Sequence, residues 1–342
     1  MQNPSKFLVF GITSVIVSVA HLSESAFAQT FFSSPKTFTV TQTCNATTSL
    51  SGSNPVALTV NANYSALGEN KIPGGSHAWI SVPEVGNRWV ALTCGTYGTV
   101  SAGTLPAGTV AFFDNTSNPV SGLKFGSPAD VTPVAPTLNA FDNAVVNVCG
   151  APGKVVTTTE FQNMMYANPT VLANIKAAVS PFSSDASFMN ELTTIWFNVA
   201  GFNYVFCGEP VSGGAIGGLH FFGRYVELQN KGLAGRLANN LSNEEVEPQA
   251  VYTMGVKMVV GSGTSQSTIK GYGYTLSAEE LLRLGAIAYK KNPNTSSTNT
   301  ACLLPINDDN KSFKMVFVRR SGGVRTFYPD ATPSTTDPTC AL

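Results

Sequence analysis

Charge and histidine are both scarce in this 342-residue chain. Only 12% of residues are charged, Lys plus Arg and Asp plus Glu stand at 20 each, and there are three histidines. The balance holds after residue 150, with 15 basic against 14 acidic side chains, so no basic field advertises a polyanion partner. That argues against tight duplex binding through a charged face. It leaves room for a site that grips one or two phosphates. Also missing is any C-x-x-C pair among the six cysteines, Cys44, Cys94, Cys149, Cys207, Cys302 and Cys340. Disulfides in an oxidising compartment therefore fit better than zinc. Sequence does not fix their pairing, but three fall on each side of residue 150, so full pairing requires at least one bridge across it. After residue 28 no apolar run is long enough to span a bilayer.

What is present begins with Lys6, a mostly apolar run from Phe7 to Ala20, and Ala26-Phe27-Ala28 before Gln29. The run is shorter than the ~20 residues of a spanning helix and an A-x-A pattern follows it. Residues 1–28 are expected to be a signal peptide, and the mature protein secreted or periplasmic. The remainder is long enough for two domains. Residues 29–150 carry only nine charged side chains and alternate in stretches such as Thr37-Phe38-Thr39-Val40-Thr41. This predicts an all-β, sandwich-like domain. Within it His77–Val82 and Arg88–Cys94 read as a hairpin, with Trp79 and Trp89 in its strands.

Composition shifts after Gly150-Ala151-Pro152-Gly153, where acidic and long apolar residues return at helical spacing. Thr159 and Asp185 are candidate helix caps, and Ser277-Ala278-Glu279-Glu280 opens another helix with its acids in the first turn. Tyr204–Cys207 and Phe221–Leu228 read as buried strands, Val256–Val260 as a further one, and Phe313–Val318 with Gly323–Tyr328 as a closing hairpin. Residues 292–300 read as a polar loop. The expected fold class is α+β, with domains at 29–150 and 151–342.

Two patches place a reactive side chain beside constrained backbone. Glycines in Gly217-Gly218-Leu219-His220 permit positive φ and close approach of a ligand, while Pro329 restricts Tyr328 in Thr326-Phe327-Tyr328-Pro329. Together with Gly201–Glu209, Leu228–Leu233, and Lys270 ahead of a capped helix, these motifs follow one order along residues 155–335. In that order the C-terminal half resembles the EndoU family of endoribonucleases. The resemblance implies helices packed on antiparallel sheets, single-stranded RNA as partner, and cleavage 3′ of uridylates to a 2′,3′-cyclic phosphate. It implies no metal ligand in the protein and leaves open whether manganese assists.

Residue by residue, the resemblance makes His220 the general base, Lys270 the phosphate-facing cation and Tyr328 the ring that stacks on the base. Gly218 lies in the substrate-binding turn. Thr326, and Thr275 or Tyr274, are candidates for the hydrogen bonds that single out uracil. Lys257 rivals Lys270, and His77 is the only other histidine after the leader. The departure is Asn203-Tyr204, where the family carries an acidic residue and its other catalytic histidine. A slow enzyme with Tyr204 as acid and a catalytically weakened RNA-binding or interaction module both follow. In the module reading the first domain supplies adhesion or protein contacts, and a further reading, prompted by Trp79 and Trp89, makes it a carbohydrate-binding sandwich.

Overall fold

A computed structural model of the chain describes residues 30–342 except 61, 72–73, 98–103, 118, 120–128, 180, 182–183, 294–298, 321 and 335. The expected leader, and most of the polar loop at 292–300, lie outside the described residues. Among the described residues no helix is long and apolar enough to cross a membrane.

Alternation builds the first unit. Strand β1 (Thr30–Val40) and the two-residue strands β2 (Asn45–Ala46) and β3 (Val56–Ala57) precede β4 (Asn63–Glu69), β5 (His77–Val82), β6 (Gly86–Ala91) and β7 (Gly95–Tyr97). The sheet order is β6-β5-β4-β1-β7, all antiparallel. The short β2–β3 pair adjoins the β6 edge, where Thr47 and Trp89 exchange backbone hydrogen bonds. Phe38, Val40, Ala66, Ala78, Ile80 and Val90 point inward and form a core of their own, which Cys44–Cys94 closes. Trp79 and Trp89 are directly opposed on the other face, with ring centroids 4.7 Å apart.

Part of the segment before residue 150 packs into a second core. Strand β8 (Thr109–Val110) is followed by Phe112 and Phe113, and by helix α1 (Ala140–Cys149), all of which bury side chains in the larger, C-terminal core. The bridge Cys149–Cys207 crosses residue 150 and yet joins two parts of that one core.

Helices α2 (Thr158–Tyr166), α3 (Pro169–Val179) and α4 (Asp185–Phe197) come next. Thr157 and Ser184 cap α2 and α4, one or two residues before the expected Thr159 and Asp185. A π-helical turn spans Asn203–Cys207, followed by β9 (Glu209–Pro210), β10 (Ile216–Gly217) and helix α5 (Phe222–Asn230). The strands expected at Tyr204–Cys207 and Phe221–Leu228 are thus helical. Their side chains are buried almost all round, which erases the polar face that marks a surface helix.

The sheet that carries the site holds β11 (Ala234–Leu237), β12 (Glu244–Glu247), β13 (Val251–Val260) and β14 (Gly263–Gly273). Strand β13 pairs β14 along one edge and β11 with β12 in tandem along the other; β8 extends β11. Helix α6 (Ala278–Lys291), capped by Ser277 with Glu280 as expected, leads to β15 (Asn299–Asp308), β16 (Lys311–Arg320) and β17 (Gly323–Pro329), an antiparallel meander stapled by Cys302–Cys340. The architecture is α+β.

Candidate active site

Close backbone approach creates the site. Gly218 has φ 62° and Leu219 φ 73°, and a Cβ on Gly218 would sit 1.7 Å from the carbonyl oxygen of Tyr204. With glycine there, Leu219 N–H donates to Tyr204 O and His220 N–H to Val205 O, both at 2.8 Å. From α5, the Tyr225 hydroxyl donates to Leu219 O at 2.8 Å and braces the unusual φ. The glycine turn is thereby locked onto the π-helical turn, and Tyr204 and His220 become neighbours.

His220 is 7% exposed, and its Nδ1 lies 2.9 Å from Gly271 O on β14. A carbonyl only accepts, so Nδ1 carries the proton and Nε2 keeps its lone pair. Burial, reinforced by the nearby Lys270 charge and opposed by the Gly271 carbonyl, pushes the imidazole pKa down to about 3. The ring is neutral at pH 7. Tyr328 stacks on it with centroids 5.1 Å apart and planes at 27°; the Tyr204 ring sits beside it, tilted by 48° at 6.1 Å. Burial, with Asp330 and Tyr204 adding to it, raises the Tyr328 phenol.

Two β-bulges aim the cations. Between Met254↔Lys270 and Val256↔Ser267, β14 carries one more residue than β13. The extra residue puts Lys270 on the same face as Ser265 and Ser267, whose hydroxyls bond the backbone of Gly214 and Ile216 beside the glycine turn. Burial lowers the Lys270 pKa, and no ion pair holds it among the described residues. On β17 the pairing steps from Thr326↔Val318 to Val324↔Arg319, leaving Arg325 as the extra residue. Its guanidinium carbon lies 4.0 Å from the Tyr204 ring centroid, its Nη2 3.3 Å from Glu209 Oε2 and its Nη1 3.3 Å from Val199 O. Thr326, two residues before Tyr328 on the same strand, has a buried Oγ1 without a hydrogen-bond partner.

Of the expected residues, the structure gathers Tyr204, Gly218, His220, Lys270, Thr326 and Tyr328. It does not bring Thr275 with them. Thr275 packs on Gly74 and lines a cavity of about 760 Å³ at the seam with the first domain, together with His77 and Tyr274. No other residue of the cluster lines that cavity, so His77 stays apart too. The Tyr274 hydroxyl donates to Val134 O, and the Lys257 ammonium to Ala107 O. Both residues tie the connecting segment down. Sequence reasoning missed Arg325 and Glu209 as site residues, because regular alternation predicts no bulge.

Residues 198–331 match the family model described as Bacterial EndoU nuclease, and the whole cluster lies within that span. That stretch of the C-terminal half is similar to nucleases of the EndoU kind. Among solved structures the chain is similar to XendoU, titled a splicing independent snoRNA processing endoribonuclease. That match has a TM-score of 0.40 and 17% identity over 56% of this chain and 78% of that one. No curated protein matches. Asn203, in the position where the EndoU family carries an acid, turns its amide inward: Val156 N–H donates to Asn203 Oδ1 at 2.8 Å. It stands in the frame rather than in the cleft.

Proposed function

We propose that this protein is an exported endoribonuclease that cleaves single-stranded RNA 3′ of uridylates and leaves 2′,3′-cyclic phosphate ends. The observation that supports it most is the His220 imidazole, neutral and fixed by Gly271, with Lys270 close by and two tyrosine rings beside it. In this reading His220 Nε2 takes the 2′-hydroxyl proton as the 2′-oxygen attacks phosphorus, and Tyr204 gives its proton to the departing 5′-oxygen. Solvent then restores both groups. Lys270 faces the charge developing on phosphate. Tyr328 stacks on the base, a contact worth about 1–3 kcal/mol and blind to base identity; Thr326 Oγ1, without a partner among the described residues, reads the uracil edge. No step needs a metal.

The test is a uridine-containing oligonucleotide incubated in EDTA, with product ends identified by mass. Cyclic-phosphate ends are expected from the native protein and a loss of about 10² or more from His220→Ala. Equal cleavage by both proteins refutes the assignment. Export predicts a secreted chain beginning at Gln29, which intact-mass measurement reads directly.

Tyr204 in place of histidine favours a second reading, an EndoU scaffold that holds RNA without cutting it. Tyr204→His separates the two. A gain of cleavage from an inert parent supports the binding module, whereas cleavage by the parent rules it out.

A further inference from the structure

The tyrosine at position 204 is held as few surface tyrosines are. Its ring lodges against glycine backbone at two opposite corners: a Cβ on Gly217 would come within 3.2 Å of Tyr204 Cε2, and one on Gly218 within 2.8 Å of Cδ1. The Arg325 guanidinium lies on the ring at 4.0 Å from the centroid. Among the described residues the Tyr204 hydroxyl has no hydrogen-bond partner. Ring clamped and hydroxyl free is the arrangement a proton donor needs.

We infer that Arg325, anchored by Glu209, is the positioning residue that holds Tyr204 in place as the proton donor to the leaving oxygen. This rests on the nuclease reading proposed above. Direct phosphate binding is the other role open to an arginine in a nuclease cleft, and the geometry argues against it. Nη2 faces Glu209, Nη1 faces the Val199 carbonyl, and the guanidinium plane is covered by Tyr204. Lys270, with no ion pair, is the cation left for phosphate. The ion pair is also poorly placed to serve stability, since Glu209 and Arg325 keep 37% and 22% of their side-chain surface exposed. The β17 bulge, by contrast, falls at Arg325 itself, whose guanidinium lies over the Tyr204 ring.

Leaving-group dependence tests the inference. A uridylyl-(3′→5′)-adenosine dinucleotide expels an alkoxide that needs a proton, whereas uridine 3′-(4-nitrophenyl phosphate) expels a phenolate that does not. Arg325→Met is expected to lower kcat about 10- to 100-fold on the dinucleotide, with KM within about 2-fold, and to change the aryl ester by less than about 3-fold. Tyr204→Phe shows the same selectivity, and the double variant Y204F/R325M is no slower than Tyr204→Phe alone, because an absent acid needs no positioning. Arg325→Lys recovers only part of the loss, since an ammonium has no plane to stack.

Equal losses on both substrates, a raised KM, or additive effects in the double variant overturn the inference. Should Arg325→Met fail to fold, as thermal unfolding reports, Glu209→Gln carries the same comparison with a smaller loss. The two failures are separable. If native protein and His220→Ala cleave both substrates alike, the nuclease reading falls and this inference with it. If that control holds and Arg325→Met equals the native protein on the dinucleotide, the inference alone falls.

Discussion

His220 combines two properties that pull in opposite directions. Its tautomer is set for accepting a proton at Nε2, yet burial and the Lys270 charge make that nitrogen a weak base, with a pKa down to about 3. A general base works best when its pKa lies near the operating pH, so this site trades driving force for a base that is never blocked by protonation near neutrality. The acid limb of kcat/KM, which reports the free enzyme, is therefore expected well below the usual ~6.5 of histidine, with activity persisting at pH 5. A pH series from about 3.5 to 8 checks it, and an acid limb near 6.5 would show that another group, or an exposed histidine, is the base. The same shift has a consequence for folding. Between about 3 and 6.5 the unfolded chain holds a proton at this position that the folded chain refuses, so His220 withdraws stability as the pH falls through that window.

The element that presents Tyr204 is a single π-helical turn, and Cys207 at its end is bonded to Cys149 of α1. The closed loop spans 58 residues, for which chain-entropy reasoning gives about 4 kcal/mol. Replacing both cysteines by alanine is expected to cost roughly 2–4 kcal/mol in urea unfolding and to reduce cleavage even where the variant is fully folded. Unchanged cleavage by a folded variant would mean that the turn holds Tyr204 without the bridge. Helix starts were legible in the sequence because capping is local chemistry: Ser277 with Glu280 reads at once. The π-turn and α5 were not: five residues are too few to show a period, and α5 buries Arg224, Glu227 and Gln229 beside its apolar residues, so no polar outer face marks it. His220, Tyr204, Lys270 and Tyr328 were legible as residue types in an order. What joins them was not: the Gly271 carbonyl, the two bulges and the Arg325 stack depend on strand register, which a local pattern does not contain.

At the scale of the whole molecule, the seam between the β-domain and the larger, C-terminal core carries ionisable groups out of water. Thr137, from the segment leading into α1, donates to Glu69 Oε1 of β4 at 2.9 Å, and Lys71 pairs with Asp308 at 2.9 Å. Burial dominates at Glu69, raising its pKa from 4.5 to about 7 against the opposing pull of Thr137, Tyr97 and Lys36. Asp142 behaves alike: it caps α1 and accepts from Ala278 N–H at the start of α6, yet burial raises it from 3.8 to about 7. In both cases the folded chain keeps a proton that the unfolded chain releases above its own, lower pKa. Their contribution is thus fully present below about pH 4 and is lost as the pH rises through about 7, the reverse of His220. For Glu69 the displacement corresponds to about 3 kcal/mol at most. Glu69→Gln keeps an acceptor for Thr137 and cannot ionise. Between pH 4.5 and 8, urea unfolding is expected to show the native protein losing up to about 3 kcal/mol more stability than Glu69→Gln. Parallel pH dependences for the two proteins would mean that Glu69 remains charged, held so by Lys36 of its own sheet, and that Thr137 docks on a carboxylate instead of a buried neutral acid.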